Sequence, residues 1–585
     1  MAEVLISPGV LARENDQSQI TAGPIQAGAA IIGPTVKGQQ NIPALVTSYS
    51  EYEAKFGTKF LSGSNQFTFL TSISAYNYFQ NGGNTLLVTR VTPAAFSPAT
   101  SSHIITGSNG GSNLASNTSP FVLETLSHGN IMNSTGSSAL EGPNNTLPSG
   151  SIDNFRWEII SPNTASGVFS LLIRQGNDTG TSPAVVETFP NLSLDPLAPN
   201  YISKVIGDQV QNVRGTGTDV YLQSSGSYRN SSRYVRVKQV NFQTPNYFTN
   251  NGAPKDQFTS SIPAAQSGAF GGAEGDITGS GAPSKFYHAI DNAAGGNQGL
   301  TGTNYTTAIN LLANRDEFRY NLITAPGLIL ANSSTGAGWT TIQSNCENRG
   351  DAIFVGDLVN YDSTLAQVTN KAASVDSSYV ATYWPWLQVT DPNTQELVWV
   401  PASTMIPGVY AYNDKAGEPW FAPAGINRGG LGVVNQVERK LTNSNRDDLY
   451  TGKVNPIATF PGQGIVVFGQ KTLQTKASAL DRVNVRRLLI TLKNYISQIA
   501  DTLVFEQNTA ATRNTFLSQV NPYLESVQQR QGLYAFKVVM DNSNNTPDVI
   551  DRNQLIGAVY LQPTKTAEFI YLDFNILPTG ATFPA

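Results

Sequence analysis

Cysteine occurs once in the 585-residue chain, at Cys346. No intramolecular disulfide can form, which excludes a secreted scaffold built on disulfides, and a cysteine zinc site would lack ligands. Histidine is nearly as scarce: His103, His128 and His288 are the only three, all in polar stretches that read as loops. A Ser-His-Asp triad or a histidine metal site needs the ring on a rigid element beside its partners, so surface histidines are expected instead. Charged residues make up 13% of the chain, where about 25% is usual. The net charge of −5 and the lack of any long Lys or Arg run exclude the basic footprint of a nucleic-acid binder. No run approaches the ~18 apolar residues of a membrane-spanning helix. Met1 to Gly9 has neither a basic stretch nor a long apolar one, so no secretory signal is expected and the protein is expected to stay in a cytoplasm.

Asn, Ser, Thr, Gly and Gln take the place of charge, which suits β-rich domains with many polar turns. The composition also suits surfaces that bury against other protein, because interface centres are depleted in charge. At roughly 100–200 residues per domain, the length predicts three or four domains.

Pro8-Gly9 breaks any regular element near the start, and residues 15–19 are polar. Residues 1–20 read as an extended arm with a short strand around Val4 to Ile6, or else as a disordered tail. Ala29-Ala30-Ile31-Ile32-Gly33 reads as a buried strand ended by Gly33-Pro34. Residues 43–56 predict a strand and then a helix capped by Ser48 or Ser50. Residues 66–80 carry Phe69, Ile73, Tyr76 and Phe79 at helical spacing, stopped by Asn81-Gly82-Gly83, and residues 85–91 predict a strand. Between about 97 and 304, short alternating runs separated by turn clusters predict an inserted β-sandwich or barrel. Its Gly-rich stretch 267–283 reads as a long exposed loop. From about 305 an α/β rhythm returns, with helices expected over 308–315 and 361–375 and strands over 322–325, 352–355, 378–389 and 397–400. Leu488, Leu492, Tyr495, Ile496, Ile499 and Leu503 define one helix face near the end, and Phe516, Val520, Leu524 and Val527 a second. Pro522 should kink or restart that second helix. Three strands then follow, over 533–540, 555–561 and 568–576.

Chemistry finds little support. Gly464-Ile465-Val466-Val467-Phe468-Gly469-Gln470-Lys471-Thr472 resembles a phosphate loop, but Gln470 stands between the second Gly and Lys471, so the required spacing fails. Cys346 reads as an inert buried thiol. Asp357 and Asp362 lie close in sequence, which alone cannot argue acid–base work, and Asp447-Asp448 reads as a solvated loop. No catalytic residue, cofactor site or metal site is expected.

A series of patches resembles the contractile phage tail sheath family. The first are Ser7-Pro8-Gly9-Val10 with Glu14, Ile32-Gly33-Pro34-Thr35 and Tyr78-Phe79-Gln80-Asn81-Gly82-Gly83. Then come Tyr383-Trp384-Pro385-Trp386, Pro407-Gly408-Val409-Tyr410-Ala411, Ala422-Pro423-Ala424-Gly425 and Phe468-Gly469-Gln470-Lys471-Thr472-Leu473. Asn484-Val485-Arg486-Arg487, Phe505-Glu506-Gln507-Asn508 and Asn545-Thr546-Pro547-Asp548 follow in family order, and Phe468 stands where the family usually has Trp. The resemblance spans 1–95 and 310–585 and is weaker across 97–304. It implies an α+β multidomain fold in which a subtilisin-like α/β core, without protease activity, carries the inserted β-rich domain, a C-terminal α+β domain and extended terminal arms. The division expected is an arm over 1–20, a first core part over 21–96, the insertion over 97–304 and the core over 305–470. A C-terminal assembly domain over 471–565 and a strand or arm over 566–585 complete it.

The function implied is that of a sheath subunit. It would polymerise with copies of itself, as hexameric rings in a helical tube around a tail tube protein. It would meet baseplate and tail terminator proteins, and contract to drive the tube through a host envelope. Neither direct nucleic-acid binding nor membrane insertion is implied, and the place of action would be the virion tail. Inter-subunit contact is expected at the arms, through Val4, Leu5, Ile6 and Val10 at one end and Ile570, Leu572, Phe574 and Ile576 at the other. Residues 568–576 could equally be a strand of their own domain. The rival classes are a β-rich tail fibre or adhesin, which should show repeats that are not found, and a hydrolase on a subtilisin-like fold, which would need a well-placed histidine.

Overall fold

The computed structural model describes residues 25–62, 65–106, 119–136, 141–276, 298 and 300–570. Its centre is an eight-stranded sheet. From one edge to the other run Gly464–Val467, Asn455–Phe460, Val380–Trp384, Ile353–Asp357, Leu322–Ile329, Ala29–Gly33, Leu86–Arg90 and Pro43–Val46. All neighbouring pairs are parallel except the outermost pair at each edge. Parallel strands are covered on both faces and so read as unbroken apolar runs, which is why Ala29–Gly33 and Ile353–Asp357 were legible. Alternate residues serve two cores: Ala29, Ile31, Ile353 and Val355 face one, and Ala30, Ile32 and Phe354 face the other. The first core is closed by the helices Tyr49–Phe56, Leu70–Gln80 and Ile406–Ala416, the second by Gly302–Leu311, Gly336–Arg349 and Leu365–Ala373.

Local signals explain most boundaries, and some differ from expectation. The Tyr49–Phe56 helix is capped by Ser48, whose Oγ accepts from the Glu51 N–H. The helix expected over 66–80 starts at Leu70, because residues 65–68 pair with Lys59–Ser62 as a hairpin. The helix expected over 361–375 starts at Leu365, since Thr364 and Gln367 form a capping box and Asp362 has a positive φ of 61°. The helix expected over 308–315 runs Gly302–Leu311, set by a Thr301–Asn304 capping box. The strand expected over 378–389 is two strands, Val380–Trp384 and Leu387–Thr390, which lie in different sheets.

Between the two halves of the central sheet lies a seven-stranded antiparallel sheet. Its order is Val185–Ser193, Val168–Gln175, Phe155–Asn163, Gln266–Gly271, Pro98–Ser101, Phe121–His128 and Val235–Val240. The sheet curls around its own core of Phe121, Trp157, Phe169 and Phe270. Glu187 on one edge strand accepts from Ser232 Oγ and Arg233 N just ahead of the other. The expectation of a long loop over 267–283 fails over 267–271, because Gln266–Gly271 is a central strand, while 272–276 carry no regular structure. Gly268 is needed there: a Cβ would lie 2.3 Å from the Trp157 ring.

A polar joint fastens this sheet to the central one. The Arg90 guanidinium is fully buried and donates to the carbonyls of Gly38 at 2.6 Å, His128 at 2.8 Å and Val36 at 3.3 Å. Burial without a carboxylate pushes its pKa down to about 9. Beside it, buried Lys37 stands 3.8 Å from Asp153 and over the Phe155 ring.

Candidate assembly surface

The C-terminal unit is built on the 19-residue helix Val483–Asp501, which serves two cores in turn. Val483 and Ile490 belong to the central core, whereas Leu488, Leu492 and Ile499 pack with Phe516, Val520, Leu524 and Val527 of the helix Ala510–Gln529. Pro522 lies inside that second helix, which runs on through it without the restart that was one of the two outcomes expected. Two ties hold the unit to the body. Arg487 Nη2 donates to both carboxylate oxygens of Asp414, at 2.6 and 2.8 Å, while its guanidinium stacks on Tyr410. The Trp420 indole N–H donates to the Arg530 carbonyl at 3.0 Å, and the Arg530 side chain covers that indole and pairs with Glu418.

Against the Ala510–Gln529 helix lies a two-stranded antiparallel sheet, Leu533–Val539 with Ala558–Pro563. Leu533, Phe536, Val538, Val559 and Leu561 point into the cluster, and Tyr534 and Tyr560 are exposed by more than 60%. Each strand has one edge with no strand partner among the described residues. Such an edge presents a row of free N–H and C=O groups that another strand can complete.

The chain then turns back on its own body. The Gln470 side-chain amide donates to Thr566 Oγ1 at 2.6 Å and to Glu568 Oε1 at 3.0 Å. Arg482 donates to the two Glu568 oxygens at 2.7 and 2.9 Å, and the Tyr450 hydroxyl donates to Glu568 as well. Burial pushes the Glu568 pKa up, but the bonds from Arg482, Tyr450 and Gln470 outweigh it and leave the carboxyl below its ordinary value. Residues 568–570 are not strand, in contrast to the expectation over 568–576, whose remainder lies outside the described residues. Ile570 is 76% exposed. Val4, Leu5, Ile6, Val10, Leu572, Phe574 and Ile576 lie outside the described residues. Sequence reasoning missed the Arg482–Glu568 contact because it joins positions 86 apart with no local pattern.

The remaining candidates for chemistry fall in separate places. His128 ends the strand Phe121–His128 rather than lying in a loop, and burial with the nearby Arg90 and Arg236 charges pushes its pKa down to about 4. His103 is 3.3 Å from Ser119 Oγ, and His288 lies outside the described residues. Cys346 is buried on the helix Gly336–Arg349, and burial pushes its thiol well up. Residues 464–467 form an edge strand, so the phosphate-loop likeness has no loop behind it, and the Lys471 ammonium sits over the Tyr450 ring. Asp357 is buried at the end of Ile353–Asp357, whereas Asp362 is exposed. The Asp357 carboxylate accepts from Ser403 N at 3.1 Å and Ser403 Oγ at 2.5 Å, and burial, only partly offset by these bonds, pushes its pKa up to about 7. Among the described residues there is no His, Cys, Asp and Glu cluster fit to hold a metal, and no helix long and apolar enough to cross a membrane.

The molecule is thus a mixed α+β protein of several layered units, one of them a helix-backed sheet whose outer edges have no strand partner among the described residues. Residues 298–473 match the phage tail sheath protein central domain, and residues 475–577 match the phage tail sheath C-terminal domain. Through these two regions the chain is similar to phage tail sheath proteins. It is 34% identical over 292 residues to the tail sheath protein of Vibrio phage KVP40, covering 50% of this chain and 42% of that protein. It is 35% identical over 229 residues to the tail sheath protein of Enterobacteria phage T4, covering 39% of this chain and 35% of that one. The match therefore spans less than half the length of these curated relatives. Among solved structures, the contracted helical sheath of the anti-feeding prophage aligns at 16% identity over 98% of this chain and 99% of that one, with a TM-score of 0.46. A sheath tail protein from Listeria innocua aligns at 11% identity over 93% and 96%, with a TM-score of 0.48.

Proposed function

We propose that this chain is a structural subunit of a contractile tail sheath. It polymerises as a helical tube around an inner tail tube and contracts by repacking its subunits, which drives the tube through a host envelope. The observation that carries this reading is the sheet Leu533–Val539 with Ala558–Pro563, open at both edges among the described residues, in a region that matches the sheath C-terminal domain. An open helix needs one face of each subunit to bind a different face of the next, and an added strand supplies such a contact. In this reading, residues 1–20 and the chain beyond Ile570 add strands to the C-terminal units of neighbours, with Val4, Leu5, Ile6 and Val10 or Leu572, Phe574 and Ile576 setting the register.

Woven arms let neighbours stay linked while bodies rotate as rigid units. The Arg487–Asp414 and Arg90 joints support rigid bodies, since both guanidiniums are buried and multiply bonded. The division adopted is the arm 1–20, core parts 21–96 and 305–470, the insertion 97–304, the assembly unit 471–565 and the tail 566–585. The core is taken as subtilisin-like on its parallel sheet with helices on both faces, used as a scaffold and not for catalysis. Partners are copies of the chain in hexameric rings, the tail tube protein, and the baseplate and terminator proteins. The chain is made in a bacterial host and resides in the virion tail, without nucleic-acid or membrane contact.

Electron microscopy of the purified chain tests this. Striated hollow tubes are expected, and deletion of residues 1–15 should leave soluble monomers. Wild-type protein that stays monomeric at high concentration would refute the sheath reading.

A further inference from the structure

We propose that Asn251, in the turn Thr249–Ala253, is a site of spontaneous deamidation, and that the fold protects the same dipeptide at Asn81. The inference goes beyond the sheath reading and does not depend on it. Asn-Gly occurs at 81–82, 109–110 and 251–252, and the second of these pairs lies outside the described residues. The reaction brings the backbone nitrogen of the glycine onto the side-chain carbon of the asparagine, and glycine hinders that approach least because it has no Cβ. Asn251 is exposed, and its side chain has no hydrogen-bond partner among the described residues. Gly252 has a φ of 79°, and a Cβ built on it would meet nothing within 4 Å, so the turn is open to solvent on that side. Two backbone bonds close the turn: Thr249 N donates to Ala253 O at 2.7 Å, and Gly252 N to Thr249 O at 2.9 Å. Only an isolated bridge, Phe248 with Pro254, flanks it, outside any helix or sheet. An exposed turn of this kind opens at little cost, and water replaces the one bond that Gly252 N gives up, worth about 0.5–1.5 kcal/mol net.

Asn81 has the opposite setting. It ends the helix Leu70–Gln80, and its Nδ2 donates to Asn77 O at 2.8 Å and to Asn77 Oδ1 at 2.9 Å. Gly82 N donates to Phe79 O at 3.0 Å, and the Lys415 side chain covers Gly82, 2.4 Å from where a Cβ would stand. The Asn81 amide must break both side-chain bonds before its carbon can turn toward Gly82 N. Two such bonds are worth about 1–3 kcal/mol, which slows the reaction by about ten- to a hundredfold. At Asn251 the atoms balance with water alone as co-reactant. Gly252 N bonds to Asn251 Cγ and the Cγ–Nδ2 bond breaks. The proton of Gly252 N passes through solvent to the leaving nitrogen, which departs as ammonia. Water then opens the cyclic imide. Attack at Cγ restores the original backbone and leaves a side-chain carboxylate. Attack at the main-chain carbonyl carbon of residue 251 routes the chain through the side chain and lengthens the loop that the Thr249–Ala253 bond spans. Either product adds one negative charge.

The test uses the full chain, folded, held at pH 6 and at pH 8 in heavy-oxygen water and then digested for mass spectrometry. Labelled carboxylate should accumulate at Asn251 at least about tenfold faster than at Asn81. The rate at Asn251 should climb by roughly tenfold per pH unit, because the attacking group is the deprotonated backbone nitrogen. In concentrated urea the two asparagines should react alike, since the bonds from Asn81 to Asn77 are then lost. Asn251→Gln lengthens the side chain and disfavours ring closure, so it should carry no label at that position over the same period and keep the melting temperature. An unlabelled Asn251 in the folded chain, or labelling of Asn81 at the same rate, would overturn the proposal. A difference that persists in urea would overturn it as well, because local sequence and not the fold would then set the two rates.

Discussion

The Glu568 carboxylate and the Arg482 guanidinium meet through two hydrogen bonds of 2.7 and 2.9 Å, which tie the returning C-terminal segment to the start of the helix Val483–Asp501. This clasp holds residues 566–568 against the body. Replacing Glu568 with Ala removes charge-assisted bonds from Arg482, Tyr450 and Gln470, with an expected cost of about 1–2 kcal/mol after allowing for partial solvent exposure. Trypsin cleavage after exposed Lys565, followed by mass spectrometry, should then quicken about tenfold. The Glu568 pKa is lower folded than unfolded, so its contribution is complete above the unfolded value and is lost as pH falls through the folded one. Opening of the clasp, read with an acid-active protease in place of trypsin, should therefore rise only in acid.

Asp357 behaves in the opposite sense. Its folded pKa of about 7 exceeds the model-compound value of 3.8, so the native state binds more protons than the unfolded chain between those values. Stability should fall as pH rises across that window, by an amount on the order of 2–4 kcal/mol. Asp357→Asn keeps a partner for Ser403 and should flatten this dependence, stabilising the protein at pH 8 more than at pH 5. Urea midpoints at the two pH values check it.

Asp178 accepts from Arg156 Nη1 and Arg174 Nε, both at 2.7 Å, and all three side chains are buried. Asp178→Ala should cost about 3–5 kcal/mol, because two guanidiniums lose a shared buried partner. Hydrogen exchange should show the loss in the seven-stranded sheet and not in the central one.

Gly268→Ala places a methyl 2.3 Å from Trp157 Cζ2 and 2.4 Å from Ser102 Oγ. Overpacking of this kind costs about 1–3 kcal/mol. A lowered melting temperature with altered Trp157 fluorescence is the expected readout.

These sites also mark what the sequence could disclose. Strands buried on both faces, such as Ile353–Asp357, announce themselves by composition, and capping residues such as Ser48 fix helix starts within a residue or two. The strand Gln266–Gly271 was hidden because close packing against Trp157 demands glycine, which reads as loop. Pro522 does not restart its helix, because packing of Phe516, Val520, Leu524 and Val527 outweighs one lost backbone bond. Of the candidate site, the strands expected over 533–540 and 555–561 were legible, but the clasp at Glu568 was not. Its partners Arg482, Tyr450 and Gln470 come together only in three dimensions.

The direct test of the assembly account is an electron cryomicroscopy reconstruction of assembled particles at side-chain resolution. The account predicts that residues 1–20 and the chain beyond Ile570 run into adjacent subunits and pair with the edges of Leu533–Val539 and Ala558–Pro563. Finding both ends folded onto the molecule they belong to would contradict it.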